Sequence, residues 1–307
     1  MSSTSPTALD FQAIDPKELS LGHLHHTLLG LIAPRPIAFA STIDKEGRHN
    51  LSPFSYFNVF GINPPLLIFS PATSVRNLAE KDTYINVLEV PEVVINLIDY
   101  GLVEQASLSS CAFPRGISEF EKAGLTALPS DLVGPYRVAE SPASFECKVI
   151  DTIKTGDGGG AGNLIICEIV KMHIRKSLLT PDGKIDLDAL KPVGRMGGNN
   201  YVAAFGAALF QVTKPNEKVA IGIDALPAQI RNSHILSGKQ LSRLANVESW
   251  PATNHADLPE LESYMVAELG TEYQSKGLEA ETLHHLLAKL AENQEIERAL
   301  NIISLYL

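Results

Sequence analysis

Two textures of hydrophobic and polar positions divide the chain. Up to about residue 201, short apolar stretches rich in β-branched side chains are punctuated by turn residues, which is the pattern of strands. Residues 35–43 form one such stretch. It ends in the turn signature Asp44-Lys45-Glu46-Gly47 and is followed by a second run over 50–59, so a β-hairpin is expected. Residues 65–70, 83–88 and 93–98 read as further strands. A longer hairpin is predicted from 143–155 and 163–175, joined by the turn Gly156-Asp157-Gly158-Gly159-Gly160-Ala161-Gly162. Residues 101–141 are less regular, with a short helical candidate at Glu119-Phe120-Glu121-Lys122-Ala123. Short strands, hairpin connections and few helices predict a mainly β fold, a barrel or sandwich without alternating βαβ units.

After Tyr201 the pattern changes. Residues 202–307 hold 5 of the 22 glycines, and glycine weakens helices while serving turns, so a mostly helical region is expected. Asp257-Leu258-Pro259-Glu260 resembles a helix start, with a capping residue, Pro in the first turn and Glu three residues on. Leu261, Met265 and Leu269 then share a face. Leu283, Leu286, Leu287, Leu290, Ile296, Leu300 and Ile303 predict one long amphipathic helix.

Composition narrows the classes. With 307 residues, 45% hydrophobic and 20% charged, the chain suits one large domain or two modest ones. No apolar run approaches the roughly 20 residues of a membrane-spanning helix. The Ser/Thr-rich start lacks the basic and apolar regions of a signal peptide, so residues 1–24 read as a tail. Cys111, Cys147 and Cys167 offer no CxxC pair, which argues against a disulfide framework or zinc site and makes the cytoplasm the default. A net charge of −10 with no Lys/Arg cluster argues against nucleic acid or an anionic membrane as partner. A few backbone N–H groups and an arginine still suffice to hold one phosphate.

Three segments carry candidate chemistry. In Asn50-Leu51-Ser52-Pro53-Phe54-Ser55-Tyr56-Phe57-Asn58, polar and aromatic residues surround a proline that interrupts a strand ladder. Freed backbone groups beside aromatic rings suit a planar heterocycle; a plain barrel strand explains the pattern equally. Ser70-Pro71-Ala72-Thr73-Ser74-Val75-Arg76-Asn77 follows a strand and leads into an expected helical turn over 77–81. Hydroxyls, helix-start N–H groups and a guanidinium there form a phosphate seat or, in the simpler alternative, a capped surface turn. Leu190-Lys191-Pro192-Val193-Gly194-Arg195-Met196-Gly197-Gly198-Asn199-Asn200-Tyr201 sets glycines around an arginine, for close approach of a ligand or for a domain-exit turn.

Taken in order, these segments resemble the flavin reductase-like family. The likeness rests on Pro34-Arg35-Pro36-Ile37-Ala38, the 50–58 segment with Asn63-Pro64-Pro65, and Ser74-x-Arg76-Asn77. It continues through Lys81-Asp82-Thr83 with Asn86, Glu119-Phe120-Glu121-Lys122-Ala123-Gly124-Leu125, Glu146-Cys147 and Arg195-x-Gly197-Gly198-x-x-Tyr201. It covers residues 25–201. The resemblance implies an FMN-binding split β-barrel and a homodimer with one FMN near each end of the interface. Ser52, Pro53, Phe54, Ser55, Tyr56 and Phe57 would line the flavin ring and ribityl chain. Ser74, Arg76 and Asn77 would hold the phosphate, and Asn163 would approach the ring. Arg195, Gly197, Gly198 and Tyr201 would close the site, from the same or the partner subunit, and Arg35 would support it.

By the same likeness, NADH or NADPH delivers hydride to the flavin, no protein acid or nucleophile is needed, and a monooxygenase is a possible recipient of the reduced flavin. A non-catalytic flavin carrier, or a dimeric module that has lost FMN, remains an alternative.

Other signals are set aside. Gly156-x-Gly158-x-x-Ala161 fits a dinucleotide fingerprint in letters, but no helix is expected after it. It reads as a flexible hairpin loop. The histidines His23, His25, His26, His284 and His285 lack partners at metal-ligand spacing. Residues 202–307 lie outside the resemblance and are expected to form a lid or a dimer interface. Within them, Asp224, Arg231 and Ser233 stand out in a polar run.

Overall fold

The computed structural model describes residues 11–214, 219–251, 258–269 and 279–306. The chain separates into two compact units, Met1–Phe210 and Gln211–Leu307.

The first unit opens with helix α1 (Leu21–Leu31), whose first turn is capped by Ser20; the predicted tail therefore runs into a helix. Its centre is a seven-stranded antiparallel sheet. The strands are β1 (Ala38–Ile43), β2 (His49–Phe54), β3 (Phe57–Ile62), β4 (Pro65–Phe69), β5 (Glu92–Asn96), β8 (Ala143–Lys154) and β9 (Asn163–Ile174). Two short pairs, β6 (Ala127–Leu128) with β7 (Arg137–Val138) and β10 (Val193–Arg195) with β11 (Tyr201–Ala203), stand apart.

The sheet order is β2-β1-β5-β8-β9-β4-β3. Its outermost strands, β2 and β3, are consecutive in sequence and separated by Ser55 and Tyr56 alone. Three peptide steps from Phe54 to Phe57 span at most about 11 Å, so the two edges meet at that end and the sheet must roll up. The result is a barrel that is closed by chain connection and not by a ladder. The expected single strand over 50–59 is thus two strands facing different partners: Ala38 pairs with Phe54, and Phe57 with Phe69. Both predicted hairpins form, β1–β2 and β8–β9, the latter with bulges at Glu146/Cys147 and Val149/Asp151.

Alternation of side chains gives two cores. Ala38, Ala40, Phe54, Phe69, Val93, Ile95, Cys147, Ile165 and Cys167 gather from six strands into one cluster. Ile37, Phe39 and Leu51 point the other way, onto the helices Val103–Leu108 and Glu119–Lys122. The exposed edge of β2 is blunted: the Leu51 N–H donates to the buried Glu119 carboxylate at 3.0 Å, and Pro53 has no N–H to offer.

Residues 83–88, expected as a strand, belong to helix α2 (Asp82–Glu89). Its buried residues are Thr83, Tyr84, Asn86 and Val87, a helical spacing. The run of β-branched and aromatic residues misleads because packing against the barrel outweighs local strand propensity.

The second unit has its own core, built by Leu226, Ile230, Leu241, Leu244, Met265, Leu283, Leu287, Leu290, Leu300 and Ile303 among others. Ser237 and Gln240 form a reciprocal capping box at helix Gly238–Ala245. Helix Leu258–Leu269 starts where expected, while Asp257 lies outside the described residues. The single long helix expected over 283–303 is instead two, Ala280–Glu292 and Ile296–Tyr306. Gln294, at φ 62°, turns the chain between them. The leucine stripe carries no mark of that break, because both segments feed the same core.

Candidate functional site

The Ser55–Tyr56 junction, where the barrel edges meet, is the hub of the candidate site. On one side, the Tyr56 carbonyl accepts from the Ser70 N–H at 2.9 Å, which fixes the junction against the end of β4, where the 71–79 loop departs. On the other side, the Arg35 Nε donates to Ser55 Oγ at 3.3 Å.

Arg35 is 6% exposed. Its guanidinium also donates to the Leu29 carbonyl at 2.8 Å, to the Ile32 carbonyl and to the Met196 carbonyl at 3.2 Å. Burial lowers its pKa from the ordinary arginine value, while Tyr56 raises and Arg195 lowers it further. A cation at the carbonyl end of α1 complements the helix dipole, and it ties α1, the junction and the 195–201 segment into one frame.

That segment pairs back onto the same region. Arg35 and Arg195 exchange backbone hydrogen bonds at 3.0 and 2.8 Å, and the Arg195 guanidinium lies 4.6 Å from the Tyr201 ring centroid. Gly194 and Gly197 permit this: a Cβ would lie 2.8 Å from Pro34 Cβ at the former and 3.1 Å from Gly30 Cα at the latter. Gly198 adopts φ +60°. A cavity of about 200 Å³ is lined by Pro53, Ser55, Arg195 and Tyr201 with Ile37, Ile98, the helix-borne Ala106 and Ser107, and Ser110 in the turn that follows. Four predicted residues therefore share one cavity. Ser107 and Ser110 went unremarked in the sequence because they sit in the irregular 101–141 stretch with no motif around them.

The remaining ring-side candidates differ in burial. Phe54 is buried in the barrel core, its ring centroid 5.7 Å from that of Phe69. Phe57 packs partly against the same core, Ser52 is half-buried and Tyr56 is exposed.

Ser74, Arg76 and Asn77 lie on the loop that leaves β4. No helical turn forms over 77–81; residues 75–77 make a turn, and α2 begins at Asp82. The loop is closed by its own bonds, which substitute for a helix start. The Ser74 N–H donates to the Ala79 carbonyl and the Leu78 N–H to the Ser74 carbonyl, with Leu78 at φ 57°. Ser74 Oγ accepts from the Arg76 N–H at 3.3 Å, and Asn77 Oδ1 from the Ala79 N–H at 3.2 Å. Among the described residues the Arg76 side chain and the Val75 and Asn77 N–H groups have no partner. An unpaired guanidinium beside free amides is an anion-binding arrangement.

Asn163, fully buried, joins this loop. Its Nδ2 donates to the Pro71 carbonyl at 3.0 Å and to Thr73 Oγ1 at 3.2 Å. Its Oδ1 and the nearby Ser70 Oγ are buried without partners. The site thus has a cavity of mixed polar and apolar lining beside the junction, an unpaired guanidinium with free amides on the loop, and two unsatisfied polar atoms near that loop.

A profile of the flavin reductase like domain matches residues 31–186. The chain belongs to that family. Among solved structures it is similar to nitrilotriacetate monooxygenase component B from Bacillus cereus, with 32% identity, a TM-score of 0.61, and coverage of 66% of this chain and 98% of that one. The 2-nitrobenzoate 2-nitroreductase NbaA of Pseudomonas fluorescens matches with 29% identity and a TM-score of 0.60, over 69% and 100% of the two chains. A Shewanella frigidimarina protein described as a flavin reductase with split barrel domain matches at 25% identity and a TM-score of 0.55, over 64% and 96%. The fold is the flavin reductase split barrel, and family and fold together support flavin-related oxidoreductase activity.

Proposed function

We propose that the chain is an NAD(P)H-dependent flavin reductase that holds FMN, and that it acts as a homodimer. The observation that carries the reading is the Ser70 N–H to Tyr56 carbonyl bond, which ties the 52–57 edge to the end of β4, from which the loop bearing residues 74–77 departs. The residues present fit the cofactor. Arg76, Ser74 and the free loop amides match a phosphate, and the unpartnered Ser70 Oγ and Asn163 Oδ1 match a ligand with its own donors and acceptors. Pro53, Ser55, Arg195 and Tyr201 line the cavity that suits a flat ring.

When bound, the flavin supplies the hydride acceptor that no side chain offers. The protein's part is to orient and to exclude water. Arg35 holds Ser55 in place, Arg195 stacked on Tyr201 borders the cavity, and the buried β1–β2 hairpin provides a rigid floor. The homodimer is supported by β3, an edge strand whose Val59, Phe60 and Ile62 are 57%, 63% and 91% exposed. Residues 202–307 would then serve as a lid or as part of that interface. The similarity to a monooxygenase component B makes an oxygenase a fitting recipient of reduced flavin.

Anaerobic mixing of the FMN-loaded protein with NADH, and separately with NADPH, tests this. Rapid bleaching of the flavin band with either donor is expected. Bound flavin that neither donor bleaches would remove the reductase and favour a carrier, and FAD bound in preference to FMN would overturn the cofactor assignment.

A further inference from the structure

The glycine-rich turn between β8 and β9 is much longer than a hairpin needs, since two residues commonly suffice. It is not the free loop that its composition suggests. It folds onto the loop that carries the anion seat: the Thr73 N–H donates to the Ala161 carbonyl at 2.9 Å, and the Gly160 N–H to the Thr73 carbonyl at 2.8 Å. Gly162 bridges to Ala72, and its own N–H donates to Thr155 Oγ1 at 2.8 Å. The closest approach is at Gly159. A Cβ there would lie 2.8 Å from Val75 Cα and 3.3 Å from the Ser74 carbonyl oxygen, so any side chain must displace the seat's backbone. Its neighbour Gly158 has nothing within 4 Å.

We propose that Gly159 is a positioning residue for phosphate recognition: bare backbone at this point braces residues 74–77 in the shape that presents Ser74, Arg76 and the loop amides to the anion. This rests on the flavin reading above and deepens it. Gly159 touches no ligand; it acts through Val75 and Ser74. A methyl group would push Val75 outward by several tenths of an ångström, enough to spoil charge-assisted hydrogen bonds, which are short and directional. The flavin ring, held elsewhere, would be untouched.

The test compares FMN with riboflavin, which lacks the phosphate, on full-length wild type, Gly159→Ala and Gly158→Ala. Gly159→Ala is expected to weaken FMN about tenfold or more while riboflavin affinity stays within about twofold; Gly158→Ala leaves both unchanged. Unchanged FMN affinity in Gly159→Ala overturns the proposal, as does an equal loss for both flavins, which would report general damage. A wild type that binds FMN no better than riboflavin sinks the phosphate seat itself, and the inference with it. Should Gly159→Ala not fold, hydrogen exchange on wild type decides. Peptides spanning 156–162 are expected to gain protection with FMN and not with riboflavin; equal protection by both overturns the proposal.

Discussion

Replacing Arg35 by alanine is the sharpest perturbation of the frame around the site. The side chain is buried and donates to three carbonyls, Leu29, Ile32 and Met196, and to Ser55 Oγ. Hydrogen bonds to a charged group contribute about 1.5–3 kcal/mol each, but they are not additive, and water can reach some of the exposed carbonyls. The acceptors are neutral, so removing Arg35 leaves no buried charge unpaired, but it orphans part-buried carbonyls at about 1–3 kcal/mol each, and a total of about 3–5 kcal/mol is the expected loss of folding stability for Arg35→Ala. Lysine keeps the charge but cannot fork to four acceptors, so Arg35→Lys should recover less than half. Denaturant midpoints at a constant slope measure both. A double-mutant cycle with Ser55→Ala isolates the Arg35–Ser55 bond, expected at about 1 kcal/mol. A loss below about 1 kcal/mol for Arg35→Ala would refute the view that this guanidinium joins α1, the strand junction and the 195–201 segment.

Three further outcomes are expected. Arg76→Ala should weaken FMN by about 1.5–3 kcal/mol, the scale of a hydrogen bond to a charged group, with riboflavin unaffected in parallel titrations; wild-type FMN affinity would remove Arg76 from the seat. Ile62→Lys, on the exposed edge of β3, should lower the sedimentation mass to that of a 33.2 kDa monomer; an unchanged dimer mass would place the interface elsewhere. Glu119 is buried, and desolvation pushes its pKa above the usual carboxylate value despite the Leu51 N–H. A carboxyl whose folded pKa is raised contributes stability below its ordinary value and loses it as pH rises through the raised one. Wild-type stability should therefore fall relative to Glu119→Gln from about pH 4.5 upward, and a pH-independent difference would contradict the argument.

Much of this architecture was legible in the sequence, for identifiable reasons. The β1–β2 and β8–β9 hairpins carry turn chemistry and alternation that leave little choice. The break at Ser55–Tyr56 was not legible. Nothing local distinguishes a bent strand from two strands, and only the pairing of Phe57 with Phe69 separates them. Helix α2 resembles a strand in sequence because Thr83, Tyr84, Ile85 and Val87 favour strands in isolation, and a tertiary contact decides between periods. Ser74, Arg76 and Asn77 stand out in the sequence by residue type, yet the helix start expected to support them is a self-closed loop. The brace at Gly159 was invisible, since a glycine-rich turn looks the same whether it waves in solvent or lies against a neighbouring backbone.

The account turns on two stretches gripping one mononucleotide, and a crystal structure of the FMN complex tests that most directly. The phosphate is expected within hydrogen-bonding distance of Ser74 and Arg76, with the ring along residues 52–57. Density for FMN elsewhere on the protein, with both stretches bare, would contradict it.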